Sequence, residues 1–278
     1  EEKVPLIITS LGAVRDVVDA VHGYGGVVFH DIANVRHARK AAQAGVDGLI
    51  LVANGAGGHA GVVNPFALVE EVRSFYDGTI ILSGCLSTGG DVAAAIMMGA
   101  DFAYMGTRFI STTESMAQAE YKQMIVESGA SDITYTPAVS GIPANFLTPS
   151  LVANGIDPKS LPEHKLDMAD EAKAWKTVWS AGQGAGAIHD VLPTAELVAR
   201  LLHTLANGLQ GAQKLPELAR LGLDVVVGAG QLLVHQLAQA RLEIGRRQAQ
   251  VGFAFAAVTL DDRTRLAGDL EHGGVLAQ

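Results

Sequence analysis

Short continuous apolar runs rich in Val, Ile and Leu recur along the first part of the chain, at 5–11, 26–32, 48–53, 79–85 and 102–105. Runs of this length without polar alternation fit strands covered on both faces. Between them the apolar positions fall at helical spacing: Val14, Val17, Val18 and Val21; Ala38, Ala41 and Ala42; Phe66, Val69 and Val72; Val92, Ala95 and Ile96. The pattern predicts β-α-β-α-β-α-β-α-β, and strands joined through helices are parallel with right-handed crossovers. Two units echo each other. Ala44-Gly45-Val46-Asp47 and Met98-Gly99-Ala100-Asp101 each place a Gly where a helix ends and an Asp just before a strand. Repeated βα units predict such an echo, and so does convergent turn chemistry.

After Arg108 the periodicity breaks. A helical stretch at 117–126 is followed by irregular sequence punctuated by Pro137, Pro143, Pro149, Pro158 and Pro162. Ile142, Phe146, Leu147 and Leu151 still offer apolar surface there, so 111–175 reads as a lid or side excursion rather than a linker. A Gly-rich loop over 175–188 and a closing helix at 193–205 complete a first unit, 1–206. The tail, 207–278, carries seven acidic and seven basic residues, with a single Lys, Lys214, and a single Ile, Ile244. It reads either as a small added module, with a strand at 223–227 and a helix at 231–246, or as a segment never selected to fold.

Composition narrows the function classes. A net charge of -9 without a Lys/Arg cluster argues against nucleic acid. No apolar run approaches the ~20 residues a membrane span needs, and the N-terminus lacks a signal pattern. Cys85 is the only cysteine, which excludes an internal disulfide framework and suits a reducing cytoplasm. The chain gives no His pair at metal-ligand spacing, so no metal is expected.

The densest chemical signal is Ala53-Asn54-Gly55-Ala56-Gly57-Gly58-His59-Ala60-Gly61, directly after a strand signal and ahead of a helix start at Asn64-Pro65. Its four glycines let the backbone turn tightly and approach a ligand, at an entropic cost a plain turn seldom carries. His59 follows from the C-terminal end of a strand, where parallel barrels build active sites; a neutral imidazole there can act as a base or donate to a bound oxygen. A lone loop histidine is by default a solvated one, and the glycine context is what favours chemistry here. Ser83-Gly84-Cys85-Leu86-Ser87-Thr88-Gly89-Gly90 leads from a strand into a helix, whose first N–H groups can meet a phosphate. One βα unit later Tyr104-Met105-Gly106-Thr107-Arg108 offers a close-approach glycine, a hydroxyl and a cation. Together these loops predict a phosphate-bearing cofactor. Arg108 equally fits a surface residue or a partner of Asp101. His30 and Asp31 end the second strand and can line the pocket, His30 equally as a supporting residue. Cys85 is expected to act through its N–H rather than its thiol.

These motifs, with Phe109 after Arg108 and Ser180-Ala181-Gly182-Gln183-Gly184 further on, resemble the successive signatures of the nitronate monooxygenases, over roughly residues 4–205. The resemblance implies a (β/α)8 TIM-barrel fold, FMN as cofactor, and oxidation of nitronates or nitroalkanes by O2 to a carbonyl compound and nitrite. By the same resemblance Gly57 and Gly58 lie against the flavin, and Ser83, Gly84 and Cys85 hold the phosphate. Tyr104, Met105, Gly106 and Thr107 complete that site, Gln183 borders the flavin, and His59 is the catalytic base or proton partner. Relatives usually have Gly-Gly where this chain has Gly84-Cys85, many have Gln at the position of Val52, and some quinone-reducing ones have Lys at that of Asp31. The same motifs occur in flavin-dependent NAD(P)H:quinone and enoyl-acyl carrier protein reductases, and a non-catalytic flavin-binding fragment is the remaining alternative. A closed barrel needs eight strands, whereas five precede the excursion. The chain is therefore expected to start at barrel strand four, to bind FMN poorly by itself and to turn over little.

Overall fold

A computed structural model describes residues 3–12, 15–160 and 177–213, with side chains through Gly208. Strands β1 (Leu6–Thr9), β2 (Val27–Ile32), β3 (Gly48–Val52), β5 (Thr79–Ser83) and β6 (Phe102–Tyr104) form one sheet in the order β1-β2-β3-β5-β6. Every pairing within it is parallel. Helices α1 (Arg15–His22), α2 (Val35–Ala44), α3 (Pro65–Arg73) and α4 (Gly89–Met97) alternate with these strands, as the hydrophobic pattern predicts. The sheet is open among the described residues, with β1 and β6 at its edges, so these residues do not close an eight-stranded barrel. The tail segments expected at 223–227 and 231–246 lie outside the described residues.

Strand alternation divides the core. Val28 and Ile32 of β2, Leu49 and Leu51 of β3, and Ile80 and Leu82 of β5 pack with Val18, Ala38, Leu68, Val69, Val72 and Ala95 from the helices. Phe29, Ile50 and Ile81 form a separate cluster on the other face. Leu68, Val69 and Val72 are fully buried, each worth about 1.5–3 kcal/mol of apolar transfer. The helix ends follow local sequence. Asn34 caps α2 through the His37 N–H, Asn64 precedes Pro65 at the start of α3, and Thr88 with Asp91 forms a capping box on α4.

The Gly-Asp echo has one structural meaning in both places. Gly45 and Gly99 take left-handed φ of 87° and 105°. The carboxylates that follow each accept a strand amide at 2.8 Å, Asp47 from Val28 and Asp101 from Ile80. A basic side chain meets each one: His22 Nε2 lies 2.7 Å from Asp47, and Arg73 lies 2.8 Å from Asp101. These clamps enter from the helix ends preceding the strands, the opposite end of the sheet from the glycine loops, where a barrel concentrates stability rather than chemistry.

The described part of the excursion, 111–160, is more ordered than its prolines predict. It leaves and returns side by side, Thr112 bridging Leu192, and Glu114 accepts from the Thr194 N–H that opens the last helix. After α5 (Thr107–Ile110) it contains α6 (Ala119–Glu127), β7 (Ile133–Thr136), β8 (Ala144–Leu147) and α7 (Thr148–Ala153). The closing helix α8 (Thr194–Gln213) runs past the expected end at 205 and packs on α4 so closely that a Cβ on Gly89 would stand 2.0 Å from the Leu201 carbonyl oxygen.

Candidate active site

The three glycine-rich loops converge at the C-terminal ends of β3, β5 and β6, as parallel strands in register require. They surround a cavity of about 140 Å³ lined by Gly55–Gly57, Ser83–Ser87, Tyr104, Gly106, Thr107, Ile110, Ser180, Gly182 and Gly184. Of the expected cofactor residues, Gly57, Ser83, Gly84, Cys85, Tyr104, Gly106 and Thr107 lie in this lining, whereas Gly58, Met105 and Gln183 lie outside it. Whole-ligand pockets run about 300–1,000 Å³, so this cavity suits a phosphate and its attached chain. Among the described residues no charged side chain lines it.

The closing segment seals one side. The Gly182 N–H donates to Thr107 Oγ1 at 2.9 Å, the Gln183 N–H to the Gly55 carbonyl at 2.9 Å, and Ser87 Oγ to the Gly184 carbonyl at 2.8 Å. With Gly182 as donor to its oxygen, the Thr107 hydroxyl retains its own hydrogen for a ligand. A Cβ on Gly57 would stand 2.8 Å from Gly182 N, so the two backbones touch only because both are glycine.

Two expectations about the anion site are corrected. The α4 N-terminus is not open: the Ser87 and Thr88 N–H groups donate to Asp91 Oδ2 at 2.9 and 2.8 Å, and that of Gly89 to Thr204 Oγ1 at 3.0 Å. A capping carboxylate takes the amides that a phosphate would otherwise meet. The N-terminus of α5 instead carries no side-chain cap, and a Cβ on its cap residue Gly106 would enter open space. Arg108 supplies no cation to the cavity. It is buried, 2.8 Å from Asp190 Oδ1 and 2.9 Å from the Asp190 carbonyl, and it is Arg73 that pairs with Asp101.

Cys85 takes a left-handed φ of 58°, which a glycine would adopt without strain. Its sulfur is tucked 3.6 Å from the Asn54 carbonyl and 3.9 Å from Gln183 Oε1, although the residue as a whole is exposed. That desolvation, with the Asp91 charge second, pushes the thiol pKa up and disfavours thiolate chemistry.

His59 does not stand on a free loop. With Gly58 it forms β4 (Gly58–His59), the edge of an antiparallel sheet ordered β4-β8-β7, in which Gly58 pairs with Asn145 and His59 with Ala144. The excursion therefore holds the histidine. Ser140 Oγ donates to the Ile142 carbonyl at 3.0 Å and lies 3.4 Å from His59 Nε2. Tyr135 secures the strand further by donating to the Ala60 carbonyl at 3.0 Å.

The ends of β2 divide. His30 shares a face with Val28 and Ile32, is buried, and contacts Thr9 Oγ1 at 2.8 Å; it supports the sheet rather than lining the cavity. Burial, then the charge of His37, lowers its pKa. Asp31 faces the opposite side, with Phe29, and burial raises its carboxyl pKa to about 6.

Residues 1–204 match the nitronate monooxygenase family. The chain belongs to that family. Its members are oxidoreductases, and flavin is the cofactor class the family implies. The chain is 31% identical over 234 residues to a nitronate monooxygenase of Paraburkholderia phytofirmans, covering 76% of this chain and 63% of that protein. It thus spans less than two thirds of the length of that relative. Among solved structures, a nitroalkane oxidase of Streptomyces ansochromogenes matches with a TM-score of 0.65 at 25% identity, over 75% of this chain and 66% of the other. FabK of Thermotoga maritima matches with a TM-score of 0.63 at 25% identity, over 76% and 71%.

Sequence reasoning missed the β7–β8 hairpin and, with it, Ser140 and Asn145. A β signal was present in Ile133-Thr134-Tyr135-Thr136, masked by the prolines around it. Asn145, one polar residue inside an apolar run, gave none.

Proposed function

We propose that this family member binds FMN and oxidises alkyl nitronates with O2, yielding a carbonyl compound and nitrite, with His59 as its proton partner. The observation that carries the reading is one chain segment serving two tasks: Gly55–Gly57 lines an anion-sized cavity, and His59 follows two residues later on a buttressed strand. The residues fit a phosphate monoester. The uncapped α5 terminus and the Thr107 hydroxyl donate, Gly106 leaves room, and Tyr104 stands at the rim. Gly57 and Gly58 lie beside the ring system, Gly84 and Cys85 supply backbone donors with Ser83, Met105 shapes the strand end, and Gln183 borders the ring.

Flavin, when bound, supplies the electron acceptor and the reaction with oxygen. The chain's own residues handle the proton. A neutral His59 takes the α-proton of a nitroalkane, or donates to the oxygen on which a nitronate carries its charge. Residues 1–206 make up the flavin-binding unit, with 111–175 as its side excursion and 207–278 apart from it. The composition favours a cytoplasmic protein.

The loop motifs that flavin-dependent NAD(P)H reductases of quinones or enoyl thioesters share with this chain support a second reading, a reductase of that kind. Anaerobic mixing with a nitronate in one arm and NADH or NADPH in the other separates the two. Bleaching of the flavin by nitronate alone is expected; bleaching by the nicotinamide alone selects the reductase. The cofactor released by acid is expected to be FMN, because the described residues offer a single anion-sized cavity among the glycine loops and no dinucleotide fingerprint follows it in the sequence.

A further inference from the structure

The β7–β8 hairpin contributes nothing to the cavity lining, yet it controls the loop that does. Asn145 of β8 is buried, and its Nδ2 donates to the equally buried Ala56 carbonyl at 2.7 Å. In a trans peptide the C=O and N–H point in opposite directions. Holding the Ala56 carbonyl toward β8 therefore turns the Gly57 N–H away from β8, and Gly57 itself lines the cavity. No described residue accepts that N–H.

This peptide needs an external hold. Gly57 has no Cβ to restrict φ, and Gly55 and Gly58 on either side sit at φ of 81° and 73°. A peptide flanked in this way can rotate unless one of its groups is anchored. A buried carbonyl left without its donor would also gain by turning toward water.

We infer that Asn145 is a positioning residue, which anchors the Ala56–Gly57 peptide so that the Gly57 N–H donates to the bound flavin. The inference rests on the FMN reading above. It explains why a side excursion pairs with the histidine loop: one strand sets both His59, through its pairing with Ala144, and the neighbouring backbone donor.

The test compares the wild-type chain with Asn145→Leu and Asn145→Asp, using FMN as the probe. Apoprotein melting and circular dichroism report folding; fluorescence quenching and the visible bands of FMN report the site. Asn145→Leu is expected to weaken FMN binding tenfold or more and to shift the flavin bands. Asn145→Asp is expected to match it at pH 8 and to recover as pH falls, because a protonated carboxyl donates to Ala56 as the amide does. In the wild type, hydrogen exchange in the segment containing Gly57 is expected to slow when FMN is added, a measurement that needs no variant. Folded variants with wild-type affinity and bands, or FMN binding that leaves exchange at Gly57 unchanged, would overturn the inference. A wild-type chain that takes up no FMN would remove the flavin reading itself, and the inference with it.

Discussion

Arg108 and Asp190, 82 residues apart in sequence, are joined by a guanidinium–carboxylate contact of 2.8 Å and a second bond of 2.9 Å from Arg108 to the Asp190 carbonyl. The pair ties the end of β6 to the segment that returns from the excursion. Arg200 also bonds the Asp190 carboxylate. This makes Arg108 a structural clamp beside the cavity.

Replacing Arg108 with Met is accordingly expected to destabilise the fold by roughly 1–3 kcal/mol, less than for a fully buried pair because Asp190 keeps Arg200 and some solvent. Urea unfolding measures this. FMN affinity of the folded fraction is expected to stay within about twofold; a large loss of affinity with stability unchanged would return Arg108 to the phosphate site.

Cys85→Gly removes a side chain from a left-handed backbone position. Relief of that strain is expected to raise stability by up to about 1 kcal/mol, with FMN binding and turnover retained. If turnover falls while flavin stays bound, the thiol takes part in the chemistry.

His59→Ala is expected to keep FMN, because no cavity-lining contact is lost, and to lower turnover of nitroalkane by about 10²–10⁴. Steady-state oxygen uptake checks the rate and flavin absorbance checks occupancy. Wild-type kinetics with both nitroalkane and nitronate would take His59 out of the mechanism.

Asp31 supplies a pH dependence. Burial raises its folded pKa to about 6, above the value near 3.9 of an unfolded chain, so the native state holds this proton more tightly. Its contribution to stability is fully present below about pH 4 and is lost as pH rises through 6. Asp31→Asn is expected to stabilise the protein by about 1–3 kcal/mol at pH 7.5 and to change little at pH 4. Urea unfolding at the two pH values decides; equal effects at both would show that Asp31 is not held neutral.

The five parallel strands, their helices and three of the helix ends were legible in the sequence because each depends on residues within a few positions of one another. Continuous apolar runs, Asn64 before Pro65, and Gly45 and Gly99 where the backbone turns left-handed are all local. The glycine loops were legible for the same reason, since close backbone approach needs glycine whatever lies opposite. Partnership was decided only by the tertiary structure. Arg108 finds Asp190 across 82 residues, and Thr204 reaches the Gly89 amide across 115. Asn145 reaches Ala56 across 89 residues, and a two-residue strand at His59, too short to show alternation, pairs with β8. Such contacts depend on register and on the packing of distant segments, and periodicity along the chain carries no record of which polar group a buried donor will meet.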